Sequence, residues 1–372
     1  MRSSDDCMRE HERECPQDKR LEDERFKDER AEGGVLCDEC LQDKHPEDNV
    51  LCTECPQDDT LCGEVIKLDR GFPLVRFSNG HEVRCEHATD IKKTGETRAV
   101  IGDIVRLATS GEHDKAIIAE ILPRRSVFVR KDPSERAIPQ VLAANFDVVI
   151  VAQPIDEVNM RRLERELVLA HETGVRVVVV LTKADRAQEQ VVTRVRRDVE
   201  ALAGAQVPVL VVSQDDKDAI ARLRARVPAG VTAVLIGRSG VGKSSLVNLL
   251  VGREVQLTQK VREGDGKGRH TTVNREIVDI PGAGRVVDMP GVRGLGMWEA
   301  DAGIGAAFSD IEDAAARCKF RDCTHGSEPG CAVRAAVEVG EITQERLDSY
   351  RNLKQETRTV RRRKEESRWR KR

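Results

Sequence analysis

Nine consecutive residues, Gly237-Arg238-Ser239-Gly240-Val241-Gly242-Lys243-Ser244-Ser245, have the side chains and spacing to bind phosphate. They fit Gly-x4-Gly-Lys-Ser. Three glycines let the backbone curl, so that successive N–H groups point inward at phosphate oxygens. Lys243 can reach the β- and γ-phosphates, and the Ser244 hydroxyl can ligate Mg2+. Apolar residues 231–236 read as the strand entering the loop. Residues 244–251 read as the helix leaving it, whose N-terminal end adds positive potential. A glycine-rich turn without a ligand would not need Lys and Ser in register after its last glycine.

The base is read elsewhere. Thr182-Lys183-Ala184-Asp185 directly follows the strand expected over residues 175–181. An aspartate there can accept two hydrogen bonds, from guanine N1–H and the 2-amino group. Adenine presents no such donor pair, so Asp185 selects guanine. The Lys183 stem would lie over the base plane. Asn is usual in the place of Thr182, but a hydroxyl can also bond across to the phosphate loop.

Two Asp-x-Pro-Gly runs compete for the metal-facing role. Asp279-Ile280-Pro281-Gly282 sits between two short strands and reads as a hairpin turn. Asp288-Met289-Pro290-Gly291 ends the inner strand, which assigns Asp288 to Mg2+ through water and the Gly291 N–H to the γ-phosphate. Upstream, the loop over residues 264–272 ends in Thr271-Thr272. One of these hydroxyls should ligate Mg2+ only when the γ-phosphate is present, Thr272 ahead of Thr271, and the loop should relax after hydrolysis. Many GTPases place a water-orienting Gln after Asp-x-x-Gly. Val292 stands there instead, so slow intrinsic hydrolysis is expected. His270 is the nearest side chain able to position water, or it contacts RNA or belongs to the loop alone.

Cys318-x4-Cys323-x-His325-x5-Cys331 supplies three thiolates and one imidazole. That is a complete tetrahedral set for zinc with no position left for substrate, hence a structural site. Cys37-x2-Cys40 and Cys52-x2-Cys55 could form a second, although their low-complexity acidic surroundings favour a disordered extension over a metal site.

The elements that position these groups follow from the pattern of the 372-residue chain. Residues 1–60 hold 20 acidic and nine basic side chains and little apolar periodicity. Short strands broken by turns over residues 61–130 suggest a small β-barrel, an OB-fold first. From residue 146, near-continuous Val/Leu/Ile strands alternate with helices, which means a parallel sheet covered on both faces. Residues from about 301 onward read as helical around the Cys/His cluster. The expected division is an acidic extension (1–60), the barrel (61–130), an α/β P-loop domain (131–300), a helical zinc-binding domain (301–350) and a basic tail (351–372). Residues 346–372 contain 12 basic and four acidic side chains, suited to a phosphate backbone or to a solvated helix with i,i+4 pairs. No apolar run approaches the ~20 residues of a membrane span, no signal peptide is evident, and 11 cysteines point to metal ligands or free thiols in a cytosolic protein. The base motif precedes the phosphate loop, which precedes both switches. The usual order starts at the phosphate loop, so the chain reads as a circular permutation.

With that order, residues 237–245, Arg269-His270-Thr271-Thr272, Asp288-Met289-Pro290-Gly291-Val292-Arg293 and the Cys318/Cys323/His325/Cys331 cluster, the chain resembles the circularly permuted GTPase family RsgA, also called YjeQ, over about residues 61–350. The resemblance implies an N-terminal OB domain, a central GTPase domain and a C-terminal zinc domain. It also implies hydrolysis of GTP to GDP and phosphate, stimulated by the small (30S) ribosomal subunit and its 16S rRNA during late maturation. A cytoplasmic monomer with one zinc is expected. His270 matches the family histidine proposed to take part in hydrolysis. Ser213-Gln214 stands where the family's guanine-contacting pair is Ser-Ala, and residues 1–60 have no family counterpart. The alternatives are a GTP-dependent RNA-binding module with little turnover, or a GTPase serving another ribonucleoprotein.

Overall fold

The computed structural model describes residues 61–69, 72–88, 98–108, 116–132, 138–254, 275–289 and 295–369. His270, Thr271, Thr272, Gly291, Val292 and the cysteines at 37, 40, 52 and 55 lie outside them.

The first five strands are β1 (Leu61–Asp69), β2 (Phe72–Arg76), β3 (Glu82–His87), β4 (Ile104–Ala108) and β5 (Ala116–Ile121). They pair in the order β1-β2-β3-β5-β4, and β4 returns to β1, closing the barrel. Only β3 and β5 run parallel. Alternate residues Val65, Val75, Cys85, Val105, Leu107 and Ile118 fill its interior, as the period of two in a half-buried strand requires.

A hairpin that the sequence reading did not anticipate follows. Strands β6 (Val127–Lys131) and β7 (Pro139–Ala144) pair antiparallel, and the division expected between residues 130 and 131 falls inside β6. Phe128 and Leu142 bury fully here. The short apolar run around each gives no period long enough to announce a strand.

The α/β layer comprises β8 (Val148–Pro154), α1 (Met160–Glu172), β9 (Arg176–Thr182), α2 (Glu189–Ala203), β10 (Val209–Val211), α3 (Lys217–Arg224), β11 (Thr232–Ile236), α4 (Lys243–Val251), β12 (Arg275–Asp279) and β13 (Arg285–Asp288). The strand order is β10-β9-β8-β11-β13-β12, and all neighbours are parallel except the β12–β13 hairpin. Odd-numbered β8 residues Val149 and Val151 join the core on the α1 side, while Val148, Ile150 and Ala152 join Leu223, Leu246 and Leu250 of α3 and α4. Both faces are therefore covered, which explains the unbroken apolar strands.

Strand β12 also pairs with β1 of the barrel, with Lys67 opposite Glu276 and Leu68 opposite Arg275. The barrel and the α/β sheet thus form one eleven-stranded ladder. Ion pairs Lys67–Glu276 (2.8 Å), Arg76–Asp279 (3.0 Å) and Glu64–Arg285 tie the same seam.

The C-terminal helices are α5 (Asp301–Ala307), α6 (Ser309–Ala315), α7 (Ala332–Glu338) and α8 (Gln344–Trp369). Ile304, Phe308, Ile311, Val333, Leu347 and Leu353 share one core with Leu163, Leu167 and Val168 of α1. The helices come close at Gly303, where an added Cβ would lie 2.1 Å from the Val168 carbonyl oxygen. Its N–H instead donates to Glu172 at 2.6 Å. Helix α8 continues unbroken past residue 350, so the expected tail shares a helix with the zinc region, and Arg361 and Lys364 reach back to Asp301 and Glu299. Among the described residues, no helix is long and apolar enough to cross a membrane.

Candidate functional site: a nucleotide cleft and a metal cluster

Those nucleotide motifs that lie within the described residues meet at the carboxyl ends of the parallel strands, where open α/β sheets bind ligands. Gly237 follows β11, Lys183 follows β9, Asp288 ends β13, and Val212 and Gln214 follow β10. Asp288 stands opposite Leu235 across the β11–β13 ladder, one strand away from the phosphate loop. Asp279 ends β12 beside the Ile280–Gly284 turn and pairs with Arg76 on the seam to the barrel. It takes no part in the cleft.

The loop has the conformation that its glycines allow. Gly237, Gly240 and Gly242 have φ of 148°, 83° and 97°, values costly for a residue with a Cβ. At Gly237 a Cβ would also meet the Ala152 carbonyl oxygen at 2.6 Å. Lys243, the first residue of α4, is buried and donates to the Gly237 and Arg238 carbonyls at 2.9 and 3.0 Å. Burial pulls its pKa down, and the nearby Asp288 and Glu166 carboxylates oppose that shift. Ser244 follows at the open end of the helix, and Arg238 reaches the exposed Glu157 at 3.4 Å.

Thr182 makes the contact expected of it. Its hydroxyl lies 2.5 Å from the Val241 carbonyl and 3.3 Å from that of Gln153, so it bridges the base motif to the phosphate loop without the usual Asn. Lys183 is left-handed, with φ 59°, a conformation that costs a non-glycine residue about 1–2 kcal/mol. It turns Asp185 and Arg186 toward a recess lined also by Gly242, Ser245, Leu246 and Gln214. Ala184 continues this turn, its N–H 3.4 Å from the Val212 carbonyl. An apolar wall from Leu246 and Leu249, with a carboxylate at one rim, suits a flat aromatic base bearing donors on one edge.

Two polar residues beneath the loop were not singled out in the sequence. Glu166, in α1, and Gln153, in β8, are 0% and 2% exposed. Gln153 donates through its side-chain amide to Glu166, and Arg162 donates from its guanidinium Nε at 2.9 Å. The signal was present: Glu166 interrupts the apolar series Leu163, Leu167, Ala170 on the buried side of α1.

The second cluster brings together Cys318, Cys323, His325 and Cys331, whose ligand atoms all lie within 4.8 Å of one another. His325 Nδ1 is 3.7 Å from Cys318 Sγ and 3.5 Å from Cys331 Sγ, and those two sulfurs are 3.9 Å apart. A tetrahedron with ordinary zinc bond lengths has edges of about 3.8 Å between sulfurs and about 3.5 Å from sulfur to nitrogen. The donor set therefore fits zinc. Burial lowers the His325 pKa, favouring the neutral imidazole that a metal needs. His325 has φ 58°, and Glu328 braces the turn around it, accepting from the Thr324 and Gly326 N–H groups at 3.0 and 2.7 Å. These bonds, the Thr324 hydroxyl foremost, hold the Glu328 carboxyl down to about 2. The His325 ring stands 6.1 Å from Tyr350 of α8, which meets Phe308 edge-on at 5.6 Å.

A profile of the RsgA GTPase family matches residues 121–298. A relative from Streptomyces avermitilis, named small ribosomal subunit biogenesis GTPase RsgA, is 43% identical over 302 residues, covering 81% of this chain and 80% of its own. The chain belongs to the RsgA GTPase family. A relative of the same name from Streptomyces coelicolor is 41% identical, with 81% of each chain covered. Among solved structures, YjeQ from Thermotoga maritima superposes with a TM-score of 0.58 at 26% identity, over 80% of this chain and 98% of that one. YloQ, described as a circularly permuted GTPase, shares the fold with a TM-score of 0.55, over 81% and 96% of the two chains. The barrel and α/β layer thus share the fold of these chains, and the Cys3His cluster lies in the helical region that follows.

Proposed function

We propose that this chain binds GTP in the cleft at the carboxyl edge of the sheet and hydrolyses it to GDP and phosphate. We place this activity in the late maturation of the small ribosomal subunit, with the subunit and its 16S rRNA as the stimulating partner. The observation that carries this reading is the convergence of residues 237–245 with Thr182–Arg186 on one edge, in a chain 43% identical to an RsgA GTPase across four-fifths of its length.

In this reading the N–H groups of the phosphate loop and the Lys243 ammonium hold the β- and γ-phosphates, and Asp185 and Lys183 hold guanine. Ser244, Thr272 and Asp288 would hold Mg2+, which neutralises charge on the phosphates when bound. The Gly291 N–H faces the γ-phosphate, and His270 orients water in the role that Val292 cannot fill. Catalysis rests on positioning and charge, so the expected low intrinsic rate leaves room for the subunit to complete the site. Zinc at Cys318, Cys323, His325 and Cys331 is structural, and fixes the helical region (301–350) and basic tail (351–372) beside the GTPase region (131–300) and barrel (61–130). The protein acts in the cytoplasm as a monomer.

Single-turnover GTP hydrolysis with and without purified small subunits tests the proposal. Stimulation that Lys243→Ala abolishes is the expected result. An unstimulated wild-type rate would refute it and favour a binding module whose nucleotide only holds its shape.

A further inference from the structure

Glu166 is a fully buried carboxylate for which the proposed chemistry has no use. It stands on the buried side of α1, between Leu163 and Leu167. Charge in such a place is costly, and an apolar side chain of similar size often stabilises a fold more than the buried ion pair it replaces. Burial pushes the Glu166 pKa up, while the Arg162 guanidinium and the Gln153 amide sustain its anion. The purpose of the group lies in what it holds.

Gln153 is held at both ends. Its side-chain amide donates to the Glu166 carboxylate, and its main-chain carbonyl oxygen lies 3.3 Å from the Thr182 hydroxyl. That hydroxyl donates at 2.5 Å to Val241, between the second and third glycines of the phosphate loop. Glu166, Gln153, Thr182 and Val241, on α1, β8, β9 and the loop, therefore line one buried polar path that passes through the Gln153 backbone, with the Thr182 proton directed to Val241. Lys243, the next residue but one after Val241, also feels the Glu166 charge. The helix that carries Glu166 is itself anchored: Glu164 and Arg165 pair with Arg346 and Glu356 of α8 at 3.2 and 2.8 Å.

We infer that Glu166 is a positioning residue for guanine-nucleotide binding, acting through Gln153 and Thr182 to fix the phosphate loop against the base motif. This rests on the nucleotide-site reading above. Buried polar networks of this kind, when fully satisfied, specify one arrangement of the backbone. Loss of one member should free the loop before the nucleotide arrives, and both GDP and GTP then bear the ordering cost equally.

The test compares Glu166→Gln, which keeps the volume, with Gln153→Met, which removes the relay amide and leaves the Arg162–Glu166 pair. The full chain is titrated with fluorescent GDP and a non-hydrolysable GTP analogue, with active fraction and melting temperature recorded. Both variants should raise both Kd values by about tenfold, the equivalent of one charge-assisted hydrogen bond. KM should follow Kd, and kcat should change far less. Combined with Thr182→Val, either variant should give less than the sum of the separate losses, because all three act along one path. Unchanged Kd values in the folded fraction, whether or not the melting temperature falls, would overturn the inference. Strict additivity with Thr182→Val, or a loss confined to kcat, would also overturn it. A wild type with no affinity for guanine nucleotides would instead refute the nucleotide site itself.

Discussion

The substitution Gly303→Ala tests whether the helical C-terminal region is locked to the GTPase region by backbone contact. The new Cβ would stand 2.1 Å from the Val168 carbonyl oxygen and 3.0 Å from the Glu172 nitrogen, both main-chain atoms of α1 that no rotamer change can move. Restoring an ordinary 3.4 Å separation requires α5 to retreat by about 1.3 Å. That shift unpacks Ile304 and Ala307 from the shared core and breaks the 2.6 Å bond from the Gly303 N–H to Glu172. Overpacking costs about 1–3 kcal/mol, and losing a donor to a carboxylate costs about 1.5–3 kcal/mol. Near the lower end of each range, the total is about 3 kcal/mol. For a domain of this size that corresponds to roughly 6–12 °C in melting temperature, read by far-UV circular dichroism. Gly305, two residues along the same helix, faces open space. Gly305→Ala should therefore hold or gain about 0.5–1 kcal/mol through the lower entropy of the unfolded chain. If the two variants melt alike, or Gly303→Ala melts at or above wild type, the helices do not approach as described.

Thr182→Val keeps the shape of the side chain and removes its hydroxyl, stranding the Val241 carbonyl. Guanine-nucleotide affinity should fall about fivefold, for about 1 kcal/mol, and an unchanged Kd would show that the bridge to the loop is idle. Elemental analysis should find one zinc in a chain truncated to begin at Leu61 and none after Cys323→Ser, with a lower melting temperature; full retention of metal by that variant would exclude the cluster as its site. Burial pushes the Cys85 thiol up to about 11, so it should resist alkylation at pH 8 until the barrel unfolds, as peptide mapping would show. Between about pH 9 and 11 the unfolded chain gives up this proton and the native chain keeps it, so this group makes stability fall as pH rises. Rapid native labelling of Cys85 at pH 8 would contradict its burial.

The features that were legible in the sequence are those whose chemistry is local. The phosphate loop announces itself because glycines, a lysine and a serine must stand at fixed offsets, and the Cys/His cluster because four ligands fall within fourteen residues. Buried strands such as β8 and β9 were readable because both faces are covered, which removes every polar residue from Val148 to Ala152. The seam between barrel and sheet was not readable. Nothing near Lys67 says that its partner is Glu276, more than two hundred residues away, since edge pairing follows from how two finished units meet. Gly303 was opaque for a related reason: a glycine in a helical pattern reads as a weakness until the helix it touches is known. Glu166 stood in plain view as an acid within an apolar stripe, but its meaning depends on Gln153 and Thr182, each from another strand.

Strand β12 leaves the segment that contains Thr272 and returns through a tight turn to β13 and Asp288, and its outer edge is bonded to β1 of the barrel. The barrel therefore has no free hinge between itself and the two ends of the hairpin. Whatever grips the barrel also grips, at one remove, the hairpin between the two segments proposed to sense nucleotide, and a load applied at Lys67 passes straight to Glu276 across the ladder.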